Sequence, residues 1–173
     1  LEKIKKATDK IKKTQGNSRL VSHIDADGIT AAAIISKTFE RLKRKLEIQH
    51  LQTLNEEEIE KIKETPEETI IFTDLGSGQY ELIKKHLKNK EVYILDHHQT
   101  EESDTENISH INPHTVGITN TKSVSGSGVA FLFSKSINEE NKDLAHIALI
   151  GATGDVQEDK GFQGLNETIL KDA

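Results

Sequence analysis

The sequence predicts an α/β domain with a mostly parallel central sheet of about five strands and helices on both faces. Three observations carry that prediction. Short runs rich in Ile, Val, Leu and Thr alternate with segments whose apolar residues recur at helical spacing. Gly, Asn, Asp or Pro punctuates most of the runs. Charged clusters stand directly after most of the apolar runs, where open α/β sheets carry their ligands.

The elements follow in order. Residues 1–15 form a lysine-rich amphipathic helix with Leu1, Ile4 and Ile11 on one face, expected at the edge of the domain. Arg19 to Ile24 is a strand, and Gly28 opens a helix through Lys45 with Ile34, Ile35, Phe39 and Leu42 at helical spacing. Leu46 to Leu51 is a strand, Asn55 caps a helix to Lys63, and Thr69 to Thr73 is a strand ending at Asp74. Gln79 to Leu87 is a helix, and Glu91 to Leu95 a strand ending at Asp96. Gln99 to Asn107 is polar and acidic and is expected to be a mobile loop, followed by a short strand, Ile108 to Ile111, closed by Asn112-Pro113. Helices are expected over Val129 to Ile137 and Asp143 to Ala152, the second delivering Gly154-Asp155.

The 173 residues suit one domain, 1–173, large enough for a true core. A hydrophobic share of 34% against a charged share of 30% fits a soluble protein, and no apolar run approaches the roughly 20 residues that span a bilayer. With no cysteine and no signal-peptide pattern, a cytoplasmic protein without membrane contact is expected. The net charge of -6 argues against coating nucleic acid by bulk attraction, but leaves nucleic acid open as a substrate. The basic runs in the first helix and at Arg41 to Lys45 read as solvated helix faces.

The informative residues are acids and imidazoles: His23, Asp25 and Asp27, then Asp74, the triplet Asp96-His97-His98, His114, and Asp155. Two carboxylates about 4 Å apart repel by roughly 4 kcal/mol at an effective dielectric near 20, so several converging on one point need cations. Mixed imidazole and carboxylate donors suit Mn²⁺, with Mg²⁺ or Co²⁺ as alternatives. Asp25 and Asp27 are two residues apart and can face different ions, Asp74 can bridge them, and His97 and Asp155 can complete the coordination of the second ion. Two such ions about 3.5 to 4 Å apart acidify a water and clamp a phosphate, which predicts metal-assisted phosphoester hydrolysis. Asp96 is expected to orient a ligand and His98 to meet the phosphate or the leaving oxygen. Ser125-Gly126-Ser127-Gly128 reads equally as a phosphate cradle at a helix N-terminus or as an N-cap with glycines for close packing. His114 lines the cleft or is a plain loop residue, and His50, His86, His110 and His146 read as structural or solvent-exposed.

From about Ser18 onward the chain resembles the DHH phosphoesterases, whose name is the triplet seen here as Asp96-His97-His98. The RecJ-like single-strand exonucleases, archaeal ones especially, are the nearest branch, through His23-Ile24-Asp25-Ala26-Asp27-Gly28, Ser125 to Phe131 and Gly154-Asp155. In the small-substrate branches, the nanoRNA and pAp phosphatases and the family II pyrophosphatases, the first His usually stands four residues before the first Asp; here it stands two before. The resemblance implies that His23, Asp25 and Asp74 hold one ion, that Asp27, Asp74, His97 and Asp155 hold the other, and that His98 is the catalytic histidine. It also implies a C-terminal substrate-binding domain, into which residues 164–173 would lead as the start of a linker helix.

Three functions follow as expectations: an exonuclease on single-stranded DNA or RNA, a phosphatase of small nucleotides, short oligonucleotides or pyrophosphate, and a replication-complex scaffold with little catalysis. The resemblance further implies single-stranded nucleic acid as substrate and GINS-like replication or repair proteins as partners.

Overall fold

The computed structural model describes residues 2–102 and 104–173. Leu1, expected on the apolar face of the first helix, and Ser103, inside the expected loop, lie outside the described residues.

Among the described residues the elements are α1 (Glu2–Lys13), β1 (Ser18–His23), α2 (Ala26–Arg41), β2 (Leu46–Leu51), α3 (Glu56–Lys63), β3 (Thr69–Thr73), α4 (Tyr80–His86), β4 (Glu91–Leu95), β5 (Ile108–Ile111), α5 (Gly126–Ile137), α6 (Ala145–Gly154) and α7 (Leu165–Asp172). The five strands form one sheet in the order β2-β1-β3-β4-β5, every neighbouring pair parallel. Consecutive strand residues point to opposite faces, so the fully buried strands must be apolar at nearly every position. Leu20, Ile71, Tyr93 and Leu95 join a core with Ala7 and Ile11 of α1, Phe39 of α2, Phe131 and Phe133 of α5, Ala148 of α6 and Ile169 of α7. Val21, Ile70, Phe72, Val92 and Ile94 face the other way, onto Ile59 and Ile62 of α3 and Tyr80 and Ile83 of α4. Each such large side chain contributes about 1.5–3 kcal/mol by leaving water.

Several boundaries differ from expectation for local reasons. Helix α2 begins at Ala26 because the Asp25 carboxylate accepts from the Gly28 N–H, and it ends at Arg41, with Lys43 in the left-handed region at φ 54°. Helix α5 begins three residues early, at Gly126, because Ser125 caps it. The segment Glu139–Leu144 is a 3-10 turn, so α6 starts at Ala145. Beyond Ser103, the expected mobile loop is tied down: Asp104 accepts from the His110 N–H at 2.8 Å and pairs with Lys3 at 3.2 Å. Helix α7, expected as the start of a linker helix, packs on the core, with Ile169 fully buried and Asp172 bridged to Lys135 at 2.6 Å.

Two features position the site. The chain passes from β1 out to β2 and returns to place β3 on the other side of β1, a reversal that opens a crevice at the carboxyl ends of β1 and β3. Register aligns Ser22 with Thr73, Thr73 with Leu95, and Leu95 with Ile111. One step further, His23, Asp74, Asp96 and Asn112 therefore stand side by side along the carboxyl edge of the sheet.

Candidate metal centre

Three side chains come from the loop after β1. Asp25 accepts from the Gly28 N–H at 2.9 Å, and its other oxygen lies 2.8 Å from His23 Nδ1. Burial pushes the Asp25 carboxyl up, but the Gly28 N–H and the His23 ring outweigh it and hold the group below its ordinary value. Asp27 is 1% exposed. Its two oxygens accept from the Gly126 N–H at 2.6 Å and the Ser127 N–H at 2.9 Å, at the start of α5. That contact corrects the phosphate-cradle reading of Ser125-Gly126-Ser127-Gly128: the N–H groups expected to meet phosphate are spent on Asp27. The other reading holds, since Ser125 Oγ accepts from the Gly128 N–H and both glycines sit against neighbours. A Cβ on Gly126 would come within 2.8 Å of the Asp74 Cβ.

Asp74 follows β3 in the left-handed region, at φ 55°, and is 3% exposed. Burial pushes its carboxyl up to about 7, with the charges of Asp27 and Asp96 adding to the rise. His97 Nε2 lies 3.3 Å from Asp74 Oδ1, 3.3 Å from Asp155 Oδ2 and 3.8 Å from Asp27 Oδ2. Burial alone would lower the His97 pKa, but the surrounding carboxylates, Asp74 foremost, raise it. Asp155 closes α6, and burial, then the charge of Asp27, raises its carboxyl.

Asp96 has a different surrounding. It accepts from the N–H groups of Ser77 at 2.9 Å, His97 at 2.8 Å and His98 at 3.3 Å, and its Oδ1 lies 2.7 Å from His98 Nδ1. Burial would raise its pKa, yet His98 and Ser77 hold it well below the usual carboxylate range. The Asp96 contact in turn pushes His98 up to about 9.

Ligand atoms of His23, Asp25 and Asp74 converge within 4.8 Å of one another, and those of Asp27, His97 and Asp155 do the same. A third convergence, of Asp74, Asp96, His97 and His98, is a weaker cation site because the Asp96 oxygens are already saturated by donors. The donor set fits borderline divalent ions on a physical ground: among the described residues no backbone N–H donor reaches the Asp74 side chain, so its buried carboxylate lacks compensation that a cation would supply.

The structure brings together His23, Asp25, Asp27, Asp74, Asp96, His97, His98 and Asp155. His114 stands apart, half-buried in the turn Pro113–Val116, its N–H donating to Asn112 and its ring in no contact with the cluster among the described residues. His110 is structural as expected, fully buried and stacked on Tyr80. Sequence reasoning missed Ser77 and Asn112. Asn112 Nδ2 donates to the His98 carbonyl at 2.9 Å and to Ser77 Oγ at 3.0 Å, fixing the loop after β4. The usable signal was its place directly after a strand, as with Asp74 and Asp96.

The chain belongs to the DHH family, N-terminal domain, which matches residues 19–152. An uncharacterized protein of Methanocaldococcus jannaschii is 34% identical over 180 residues, a match covering all of this chain and 40% of that protein. Exonuclease RecJ bound to manganese superposes with a TM-score of 0.79 at 20% identity, over 99% of this chain and 47% of RecJ. RecJ in complex with Mn²⁺ from Thermus thermophilus superposes with a TM-score of 0.77 at 22% identity, over 99% of this chain and 26% of that one. CDC45 from Entamoeba histolytica shares the fold with a TM-score of 0.64 at 18% identity, over 99% of this chain and 36% of CDC45. The chain thus spans less than half the length of each of these relatives. The all-parallel sheet agrees with the family match, and no helix among the described residues is long and apolar enough to cross a membrane.

Proposed function

We propose that this chain is the catalytic domain of a metal-dependent phosphodiesterase that removes nucleotides from an end of single-stranded DNA or RNA, in the manner of RecJ. The observation that carries the reading is the position of Asp74 between the two clusters: it belongs with His23 and Asp25, and its other oxygen lies 3.3 Å from His97 of the second cluster, which suits a carboxylate shared by two ions. His23, Asp25 and Asp74 would hold one ion, and Asp27, Asp74, His97 and Asp155 the other, with Mn²⁺ the best fit and Mg²⁺ or Co²⁺ as substitutes. Bound there, the ions would supply an acidified water and a clamp on the phosphate oxygens.

The chain's own residues do the rest. Asp96 fixes the His98 ring through Nδ1, which leaves Nε2 to carry a proton toward the cleft. With its pKa near 9, His98 holds that proton at neutral pH, in place to bind a phosphate oxygen or to protonate the leaving oxygen. Asp27, gripped by two amides, keeps its position when substrate arrives. Single-stranded nucleic acid is the proposed substrate, and GINS-like replication or repair proteins are the proposed partners of the whole protein.

A second reading, a replication-complex scaffold with little catalysis, draws on the fold shared with CDC45. A third, a phosphatase of small nucleotides, short oligonucleotides or pyrophosphate, differs in substrate size and leaving group. End-labelled single-stranded DNA and RNA incubated with the protein and Mn²⁺ separate them. Stepwise shortening from one end, absent with Asp74→Ala, is the expected result. An intact strand together with phosphate release from short nucleotides would favour the phosphatase, and no turnover of either would favour the scaffold.

A further inference from the structure

We infer that an apolar groove between α1, α5, α7 and the turn after β5 is a docking site for a partner protein, a segment of which inserts large apolar side chains there and lays acidic ones along α1. The groove contains no residue of the metal centre and none of the cavity beside His98.

The groove has a volume of about 420 Å³. A site of about 150 Å³ holds one phenyl-sized ring, so this one takes two large apolar side chains. Its walls are Ile4 of α1, Ile111 of β5, Val129 and Leu132 of α5 and Leu165 of α7, with Val116 beside them 56% exposed. Ile4, Leu132 and Leu165 are only partly buried, so the domain leaves its own core uncovered along this edge. Apolar surface gains by leaving water, and contiguous patches of it on folded domains mark interaction sites. Among the described residues no Asp, Glu or aromatic ring lines the groove.

The charge beside the groove selects the occupant. Helix α1 carries six lysines against two acids, in a chain whose net charge is -6. Lys3 pairs with Asp104 at 3.2 Å and Lys10 with Glu91 at 2.6 Å. Lys6 and Lys13 are exposed and make no ion pair among the described residues. A depression lined by Lys3, Lys6 and Val116 joins the groove to this row, and a second, lined by Lys6, Lys10 and Lys13, continues it along α1, with Glu2 and Asp9 bordering them. Seven residues of helix set Lys6 and Lys13 about 10 Å apart along the axis. A single carboxylate headgroup, as of a fatty acid, cannot meet both, whereas an acidic peptide can, and such charges steer and orient a protein partner. Nucleic acid would satisfy the lysines and not the groove, because unpaired bases seat on aromatic faces and none lines it among the described residues. The occupant is thus a protein segment with two apolar anchors beside an acidic run, bound as an amphipathic helix binds a groove.

Selection of a random dodecapeptide library on the 173-residue chain, followed by fluorescence anisotropy of the enriched peptides, tests the inference. The enriched sequences should share two large apolar residues and at least two acids. Val116→Asp should weaken their binding about tenfold or more, and the double variant Lys6→Glu, Lys13→Glu about tenfold, while high salt should weaken binding to the wild type. All three positions are exposed, so these variants keep the fold, which circular dichroism checks. No enriched peptide, enriched peptides without acids, or binding unchanged by either the valine or the lysine variant would overturn the docking site. So would one-to-one binding of cis-parinaric acid that the lysine variant leaves intact, which would make the groove a lipid pocket, or displacement of the peptides by oligothymidine, which would give α1 to nucleic acid. None of these measurements uses substrate turnover, so they hold or fail independently of the exonuclease reading.

Discussion

Asp74 and Asp96 end neighbouring strands at the same level of the sheet, and both are buried, yet their carboxylates behave in opposite ways. Asp96 collects N–H groups from Ser77, His97 and His98 together with the His98 ring, and stays ionised. Asp74 meets two imidazoles and three other carboxylates, Asp25, Asp27 and Asp96, without a backbone N–H donor among the described residues, and burial above all raises its pKa to about 7. The difference separates two jobs that look identical in sequence. A carboxylate already compensated by the protein orients its neighbours, and one left uncompensated awaits a cation.

The largest test of that contrast is Asp74→Ala, which should lower hydrolysis at least about a thousandfold and reduce bound Mn²⁺ at both positions, read by turnover and elemental analysis. Wild-type turnover in this variant would end the two-metal reading.

Stability should move in opposite directions at the two strand ends. A carboxyl whose folded pKa lies near 7 against an unfolded value of 3.8 stabilises the metal-free fold fully only below 3.8, and that contribution is lost as pH rises through 7. Asp74→Asn should therefore stabilise the metal-free protein at pH 8, by about 2 to 4 kcal/mol. Asp96→Asn, which turns an amide donor toward groups that already donate, should cost about 2 to 3 kcal/mol. Urea unfolding in chelator reads both, and shifts of the same sign would break the comparison.

Beneath the Asp96 end, burial pushes the His110 ring down to about 4, and its Nε2 lies 2.9 Å from Ser77 Oγ. The unfolded chain takes up this proton near pH 6.5 and the folded one only near 4. The metal-free protein should thus lose on the order of 3 kcal/mol between those values. Acid unfolding of wild type against His110→Phe, which can still stack on Tyr80, measures the share due to this ring.

The smallest expected effect is that of Ser77→Ala. It keeps the N–H bond to Asp96 and removes the hydroxyl contacts to His110, Asn112 and the Asp96 carboxylate, at a cost of about 1 to 2 kcal/mol by thermal denaturation.

Much of this was legible in the chain. Thr69–Thr73 and Glu91–Leu95 appear as strands within their own residues, because a strand buried on both faces must be apolar throughout, and the aspartate after each breaks the run. The Asn55 cap was equally plain, being a contact across three residues. Ser125 to Gly128 was not. Whether its N–H groups face phosphate or protein depends on Asp27, about a hundred residues earlier, and nothing local reports that meeting. Asn112 was hidden for a similar reason: before a proline it reads as a turn, and only register sets it beside Asp96.

The sequence by itself determined the alternation of strand and helix, the apolar faces, and the choice of acids and imidazoles as the chemistry, since these follow from side-chain type and short-range spacing. Only the tertiary structure decided that β1 lies between β2 and β3, which brings His23 against Asp74, and that α5 grips Asp27 while α6 delivers Asp155. It also decided which buried aspartate is compensated. That assignment depends on where distant N–H groups point, and electrostatic cost is set by neighbours in space rather than in sequence.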